Sequence, residues 1–256
     1  MTPASMPSIS LGAVPSEYSG AVGFTVAEGA DWSGALAAAD AASGGAIKRA
    51  ADAAKFDGGA GKTMLVLGAG GGLPDRIVLA GLGKDEPTML DLVKTGASIL
   101  AEVATRGDES LTIVAHDGSA QTAAYLVEGA GMRSYRFDTY RTRLKDEQKQ
   151  SVTSIVGACD DPASGDAAMN DVAGRLAGHY LARDLKHEPA NILYPVSFAN
   201  RLKEELEPLG VEVTIIDQAQ MEKEGWGSLL GVGQGSVRDS AVVVMHWKGA
   251  SGGVHD

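Results

Sequence analysis

The fold is decided by residues 183–195, which read RDLKHEPANILYP, and by the segment that runs from there to LLGVGQGS at 229–236. Pro189 and Pro195 exclude a continuous helix, because proline lacks a backbone N–H and restricts the preceding residue to extended conformations. The chain is therefore expected to leave one helix, cross as an extended connector and begin a new helix at Pro195. The β-branched residues of Val211–Ile216 then predict a strand. The stretch is predicted to be a linker that leads into an α/β unit.

Strands and helices also alternate before this stretch, and this alternation predicts the α/β class for the whole chain. The predicted strands are 63–67, 76–80, 111–115 and 151–156, with one or two more within 1–30. A short helix is predicted to end near Phe56, and further helices are predicted at 86–105, 120–129 and 167–185. The charged run 133–150 is interpreted as a solvated loop or hairpin.

Three parts are predicted from this pattern: an N-terminal α/β domain at 1–164, a linker helix and connector at 165–191, and an incomplete α/β domain at 192–256. The run Ala241–Met245 is apolar at every position, as in strands that are covered on both faces. It is expected to neighbour Val211–Ile216 in a largely parallel sheet.

Composition excludes several classes of protein. The chain has 256 residues and a net charge of -11, which argues against binding to nucleic acid or to an anionic membrane surface. Cys159 is the single cysteine, so internal disulfides and cysteine-rich zinc sites are excluded and a reducing compartment is favoured. Residues 1–14 lack a signal-peptide pattern, and no apolar run approaches the roughly 20 residues of a membrane span. A cytoplasmic location is expected.

Four segments resemble the leucyl aminopeptidases, the cytosol aminopeptidases of peptidase family M17. Residues 183–195 resemble the family linker R-D-L-x-N-x-P-x-N-x-L-x-P, although His187 stands where the family usually has Asn. Residues 229–236 match the turn L-L-x-V-G-x-G-S, and residues 76–84 (RIVLAGLGK) resemble R-V-x-L-x-G-L-G-K. Gly129 followed by YRFDTY at 135–140 resembles a fourth motif, with Arg133 in a position that is usually apolar.

The resemblance implies a macro-domain-like N-terminal domain, a linker helix and the start of a catalytic domain. It also implies removal of N-terminal residues from peptide substrates, two divalent metal ions (Mn or Zn) in the complete enzyme, and a homo-oligomer that is hexameric in the family.

Two glycine motifs suggest phosphate binding but are incomplete. The loop Gly68–Gly72 lacks the third glycine of a dinucleotide fingerprint, since position 73 is Leu73, and a strand follows where a helix is needed. Gly61-Lys62-Thr63 resembles the end of a phosphate-binding loop, but Phe56 replaces its first glycine. The loop Gly68–Gly72 is interpreted as a flexible connection between strands, and Gly61-Lys62-Thr63, which a strand also follows, is not expected to bind phosphate.

Four further patterns are interpreted as structural. His187-Glu188 lacks the second histidine of a zinc helix, because that position is Asn191. The pattern G-x-S-x-G at 249–253 lacks the helix that supports a nucleophile. The terminal residues His246, His255 and Asp256 are not expected to form a preorganised metal site. Cys159 has no evident activating partner in the sequence.

The family draws its metal ligands from segments resembling V-G-K-G-x-x-F-D-T-G-G and N-T-D-A-E-G-R, and neither occurs in this chain. No residue is therefore assigned a catalytic, metal-binding or cofactor-binding role. The chain is expected to be a truncated form that binds no metal and is inactive alone. An alternative is a non-catalytic module for nucleotide binding or assembly, based on a close approach of the loop Gly68–Gly72 to a phosphate.

Overall fold

The computed structural model describes residues 6–249, which form two compact units that divide between Ala182 and Arg183. The proposed boundaries at 164 and 191 stay predictions. The α/β class is confirmed, with the following elements before the division. The strands are β1 (Ser8–Ala13), β2 (Ala21–Ala27), β3 (Thr63–Leu67), β4 (Arg76–Gly83), β5 (Ser110–Val114) and β6 (Ser154–Cys159). The helices are α1 (Gly34–Ala42), α2 (Ala46–Ala53), α3 (Met89–Val103), α4 (Ala120–Ser134) and α5 (Asp166–His187), the last of which crosses the division.

The six strands of unit 1 form one sheet in the order β1-β6-β5-β2-β4-β3. Every neighbouring pair is parallel except β3 and β4, which form an antiparallel hairpin at one edge. The first two residues of the charged run 133–150 belong to the end of α4, and the rest is irregular apart from a short 3₁₀ turn at Asp146–Gln148, in agreement with the predicted loop. Because β1, β6, β5, β2 and β4 are parallel, their amino ends lie at one edge of the sheet and their carboxyl ends lie at the opposite edge.

Helices cover both faces of this sheet. In β4, Ile77 and Leu79 belong to the apolar cluster that contains α1 and α2, whereas Val78 and Ala80 belong to the cluster that contains α3 and α4. This alternation explains why β4 is apolar at successive positions, since a strand covered on both faces has no solvent-facing side.

Helices α3 and α4 pack at glycines. A Cβ at Gly96 would collide with the carbonyl oxygen of Leu126, and one at Gly129 would collide with that of Val93. Gly129 is thus required by helix packing. The carboxylate of Glu128, which is buried, accepts two hydrogen bonds from Arg175 at 2.6 and 2.7 Å, and this pair joins α4 to α5.

Unit 2 begins at Arg183 and contains α6 (Pro195–Leu206), β7 (Glu212–Asp217), α7 (Gln218–Glu224), α8 (Gly227–Gly233) and β8 (Ala241–His246). Helix α6 begins at Pro195 as predicted. The guanidinium of Arg238 lies 4.2 Å from the ring centre of Tyr194, so the end of the linker lies beside the residues that follow 229–236.

The predicted pairing of the two strands of unit 2 is confirmed, but the predicted parallel direction is wrong. Strands β7 and β8 are antiparallel, and Asp217 is the partner of Ala241. A parallel neighbour requires the connection to return along a strand of about 20 Å. The connection instead contains two short helices, α7 and α8, each about 10 Å long, and β8 starts beside the end of β7.

Candidate functional site

A cavity of about 270 Å³ lies at the carboxyl edge of the unit 1 sheet. It is lined by the ends of β2 and β5, by Asp160 after β6, and by residues 30–36, which lead into α1. In open parallel sheets ligands bind in crevices at this edge. The cavity is therefore the best candidate for a binding site in unit 1.

The deeper lining of the cavity is apolar and rigid. Phe24, Val26, Leu36 and Val114 line it and are buried in the cluster beneath α1 and α2. The hydroxyl of Thr25, also buried, donates a hydrogen bond to the carbonyl oxygen of Val114 at 3.3 Å. This bond ties the ends of β2 and β5 together, so the cavity is preformed.

Polar residues at the rim follow the strand ends. Asp117 accepts hydrogen bonds from the Ser119 amide at 3.0 Å and from the Thr122 hydroxyl at 2.8 Å, and so fixes the first turn of α4. The exposed carboxylates of Asp31 and Asp160 have no hydrogen bond or ion pair within residues 6–249. They are the rim acceptors that a ligand can use.

The glycine motifs lie away from this cavity. The loop Gly68–Gly72 closes the β3–β4 hairpin, and Gly71 lies against the backbone of Ala42 at the end of α1. Lys62 pairs with both carboxylate oxygens of Asp57 at 2.8 Å. This hydrogen bond lowers the pKa of Asp57 and raises that of Lys62. The loop Gly68–Gly72 connects two strands, as predicted, whereas Gly61-Lys62-Thr63 leads from the connection after α2 into β3.

Within the described chain, the histidine and cysteine residues considered in the sequence analysis as possible site residues do not line this cavity either. The Nδ1 of His187 lies 2.7 Å from the carbonyl oxygen of Arg183, and Glu188 pairs with Arg201 at 3.5 Å. His246 pairs with Glu212 across the β7–β8 sheet. Cys159 is fully buried, and this burial raises the pKa of its thiol. The G-x-S-x-G pattern beyond Gly249, together with His255 and Asp256, lies outside the described residues.

The donor set of the described chain does not fit a two-metal centre. Such a centre needs several carboxylates around each pair of ions. Within residues 6–249 no group of three or more His, Cys, Asp or Glu side chains is placed to hold an ion. The same residues include no helix long and apolar enough to cross a membrane.

Two sequence profiles match the chain in succession. One, described as the N-terminal domain of the cytosol aminopeptidase family, matches residues 21–144, and the other, described as the catalytic domain of that family, matches residues 180–255. The chain belongs to the cytosol aminopeptidase family. The resemblance predicted from the four motifs is thereby confirmed.

Relatives and solved structures agree with this assignment. A probable cytosol aminopeptidase of Caulobacter vibrioides is 42% identical over 88% of this chain and 45% of its own length, and one of Methylorubrum populi is 41% identical over 80% and 41%. The chain thus spans about half the length of the curated relatives it matches. A mutant tomato leucine aminopeptidase shares the fold with a TM-score of 0.78 at 20% identity, covering 93% of this chain and 50% of that one. The bottromycin maturation enzyme BotP in complex with Mn has a TM-score of 0.67 at 22% identity, covering 89% and 45%.

Sequence reasoning missed Asp31 and Asp160 as rim residues. Only a partial signal was available for Asp160, because the predicted strand 151–156 ends four residues before it, whereas the observed β6 ends at Cys159 and places Asp160 directly at the carboxyl edge. Asp31 lies in a connection between β2 and α1, and only the folded chain shows that this connection closes the cavity.

Proposed function

We propose that this chain forms the N-terminal domain and the beginning of the catalytic domain of a metal-dependent aminopeptidase that removes N-terminal residues from peptides. In the complete enzyme two divalent ions, Mn or Zn, would polarise the scissile carbonyl and activate water. The proposal assigns a cytoplasmic location, as the names of the relatives indicate for those proteins.

The polypeptide of 256 residues is proposed to bind neither of the two divalent metal ions and to be inactive by itself. The observation that supports this is the donor set of residues 6–249, which offers no three-ligand cluster. Because ligands, water and oxyanion stabilisation must act together, loss of even one donor costs about 10²–10³ in rate. No step of the reaction is assigned to a residue of this chain.

The N-terminal unit is proposed to act in assembly, as part of a homo-oligomer that is hexameric in the family. Its six-stranded sheet is covered by helices on both faces. This layered core is that of a complete domain, whose outer surface is available for contacts between subunits. Light scattering of the purified chain would measure this directly, and a strict monomer at high concentration would contradict the assembly role.

The activity proposal is tested with leucine p-nitroanilide and the purified chain, with Mn²⁺ or Zn²⁺ added. We expect no metal-dependent turnover above that of a mock purification from the same host without the gene. A positive control is the Caulobacter relative purified in the same way. Metal-dependent turnover that co-purifies with this chain and is absent from the mock sample would overturn the proposal.

A further inference from the structure

The cavity of unit 1 combines an apolar interior with a rim of carboxylates. The aromatic residues of its lining are Phe24 and Trp32, and no lysine or arginine of residues 6–249 lines it. Its volume of about 270 Å³ lies just below the range of about 300–1,000 Å³ typical for ligand pockets. A ligand of this site is therefore small and has an apolar body.

The charge at the rim selects the polar group of that ligand. Asp31 and Asp160 offer carboxylate oxygens that have no partner within the described chain, and Asp117 adds a third negative charge whose oxygens are already hydrogen-bonded. Carboxylates attract donors and repel anions, so a phosphate group is disfavoured at this rim. The net charge of -11 acts in the same direction.

Two basic side chains near the site, Lys48 and His116, do not outweigh the negative charge of the three aspartates. Lys48 lies over the ring of Trp32 at 5.0 Å, but its ammonium also pairs with Asp52 at 3.1 Å. Among the described residues that line the cavity, His116 is the one basic side chain, against three aspartates. The contact between Lys48 and Trp32 shows in addition that this aromatic ring accepts a cation.

We propose that this cavity binds a small apolar amine, a compound in which one ammonium group is attached to an aliphatic or aromatic body of about the size of a leucine side chain. The ammonium lies at the rim between Asp31 and Asp160, and the apolar body lies against Phe24, Trp32 and Leu36. The site consists only of residues of unit 1.

The test uses the full 256-residue chain and a matched pair of probes. 3-Methylbutylamine carries the ammonium on a leucine-like tail, whereas 3-methylbutanol has the same tail with a neutral hydroxyl, and neither is a peptidase substrate. By calorimetric titration we expect saturable binding of the amine with a dissociation constant of about 1 mM or below and at least tenfold weaker binding of the alcohol. ADP serves as the phosphate probe and is expected not to bind.

Charge-removing variants locate the site. Asp31→Asn and Asp160→Asn are each expected to weaken amine binding by up to about fivefold, the range of one exposed ion pair. Asp75→Asn is the matched control, because Asp75 is exposed before β4, whose amino end lies at the opposite edge of the sheet. Circular dichroism verifies that each variant is folded.

Salt gives a second measurement on the unaltered protein, since raising it should weaken binding of the amine but not of the alcohol. The proposal is overturned by absence of saturable amine binding up to about 10 mM, by equal affinity for the alcohol, by preferential binding of ADP, or by an equal effect of Asp75→Asn.

Discussion

Strand β4 of unit 1 and strand β8 of unit 2 have similar apolar sequences but very different surroundings. In β4, Ile77, Val78 and Leu79 have no solvent exposure, because helices cover both faces of a six-stranded sheet. In β8, Val244 is 48% and Met245 is 53% exposed, in a sheet of two strands. An apolar run therefore specifies a strand, but the elements that cover it must be supplied by the rest of the fold.

The largest expected difference is in amide hydrogen exchange. A two-stranded sheet is marginally stable in water, whereas a central strand opens only with the whole domain. The amides of Val78 and Leu79 should exchange at least about 10³-fold more slowly than those of Val242 and Val244. Exchange measured on the purified chain by NMR or mass spectrometry tests this, with the exposed glycines Gly70 and Gly72 of the β3–β4 loop as the weakly protected reference. Equal protection of β8 would show that unit 2 is as stable as unit 1.

A matched pair of substitutions compares the two strands directly. Val78→Ala should lower the free energy of unfolding of unit 1 by about 2 kcal/mol, because Val78 is fully buried and its removal leaves a cavity. Val244→Ala should change stability by no more than about 0.5 kcal/mol, since half of that side chain is already exposed.

Urea denaturation is the measurement for this pair, with separate probes in each unit, because a chain of two units need not unfold in one transition. Both substitutions replace valine by alanine in a strand, so the difference in β propensity cancels between them. Similar losses in the two variants would mean that β8 is covered in solution.

The sequence predicts the elements of both units better than their arrangement. Apolar and β-branched runs were sufficient to locate β3, β4 and β7, because such runs are rare outside strands. The direction of β8 was predicted wrongly, since the connection from β7 contains two short helices, α7 and α8, and neither is long enough to return the chain along the whole of β7.

For the candidate site too, the sequence predicts individual residues better than their arrangement. The apolar residues of the cavity could be assigned to a core from their strand positions, as for Phe24 and Val114. The presence of Asp31 and Asp160 in the lining of one cavity could not be predicted, because these residues are far apart in sequence and the order of the strands brings their segments to the same edge. The glycine motif that attracted attention in the sequence lies instead in the hairpin beside α1.

The smallest expected effect is the change of a carboxyl pKa with salt concentration. It is compared at two carboxylates with lowered pKa values, one in each unit. The pKa of Asp91 is lowered mainly by hydrogen bonds from the hydroxyl and the amide of Thr88, which cap α3. The pKa of Glu212 is lowered mainly by the hydrogen bond from the ammonium of Lys248, at 2.7 Å, then by the charge of that exposed ammonium, and less by His246.

Because both pKa values are lowered by folding, each group stabilises the folded chain above its unfolded pKa, and this contribution is lost as the pH falls through the folded value. Salt screens exposed charges but leaves hydrogen bonds to a helix cap in place. Raising the salt to about 0.5 M should therefore raise the pKa of Glu212 towards its ordinary value and change that of Asp91 less. Carboxyl-carbon NMR titrations at two salt concentrations measure both groups in one sample, and Lys248→Ala should give the high-salt value for Glu212 at low salt. If the two groups respond to salt equally, the hydrogen bonds of the α3 cap do not hold Asp91 independently of charge.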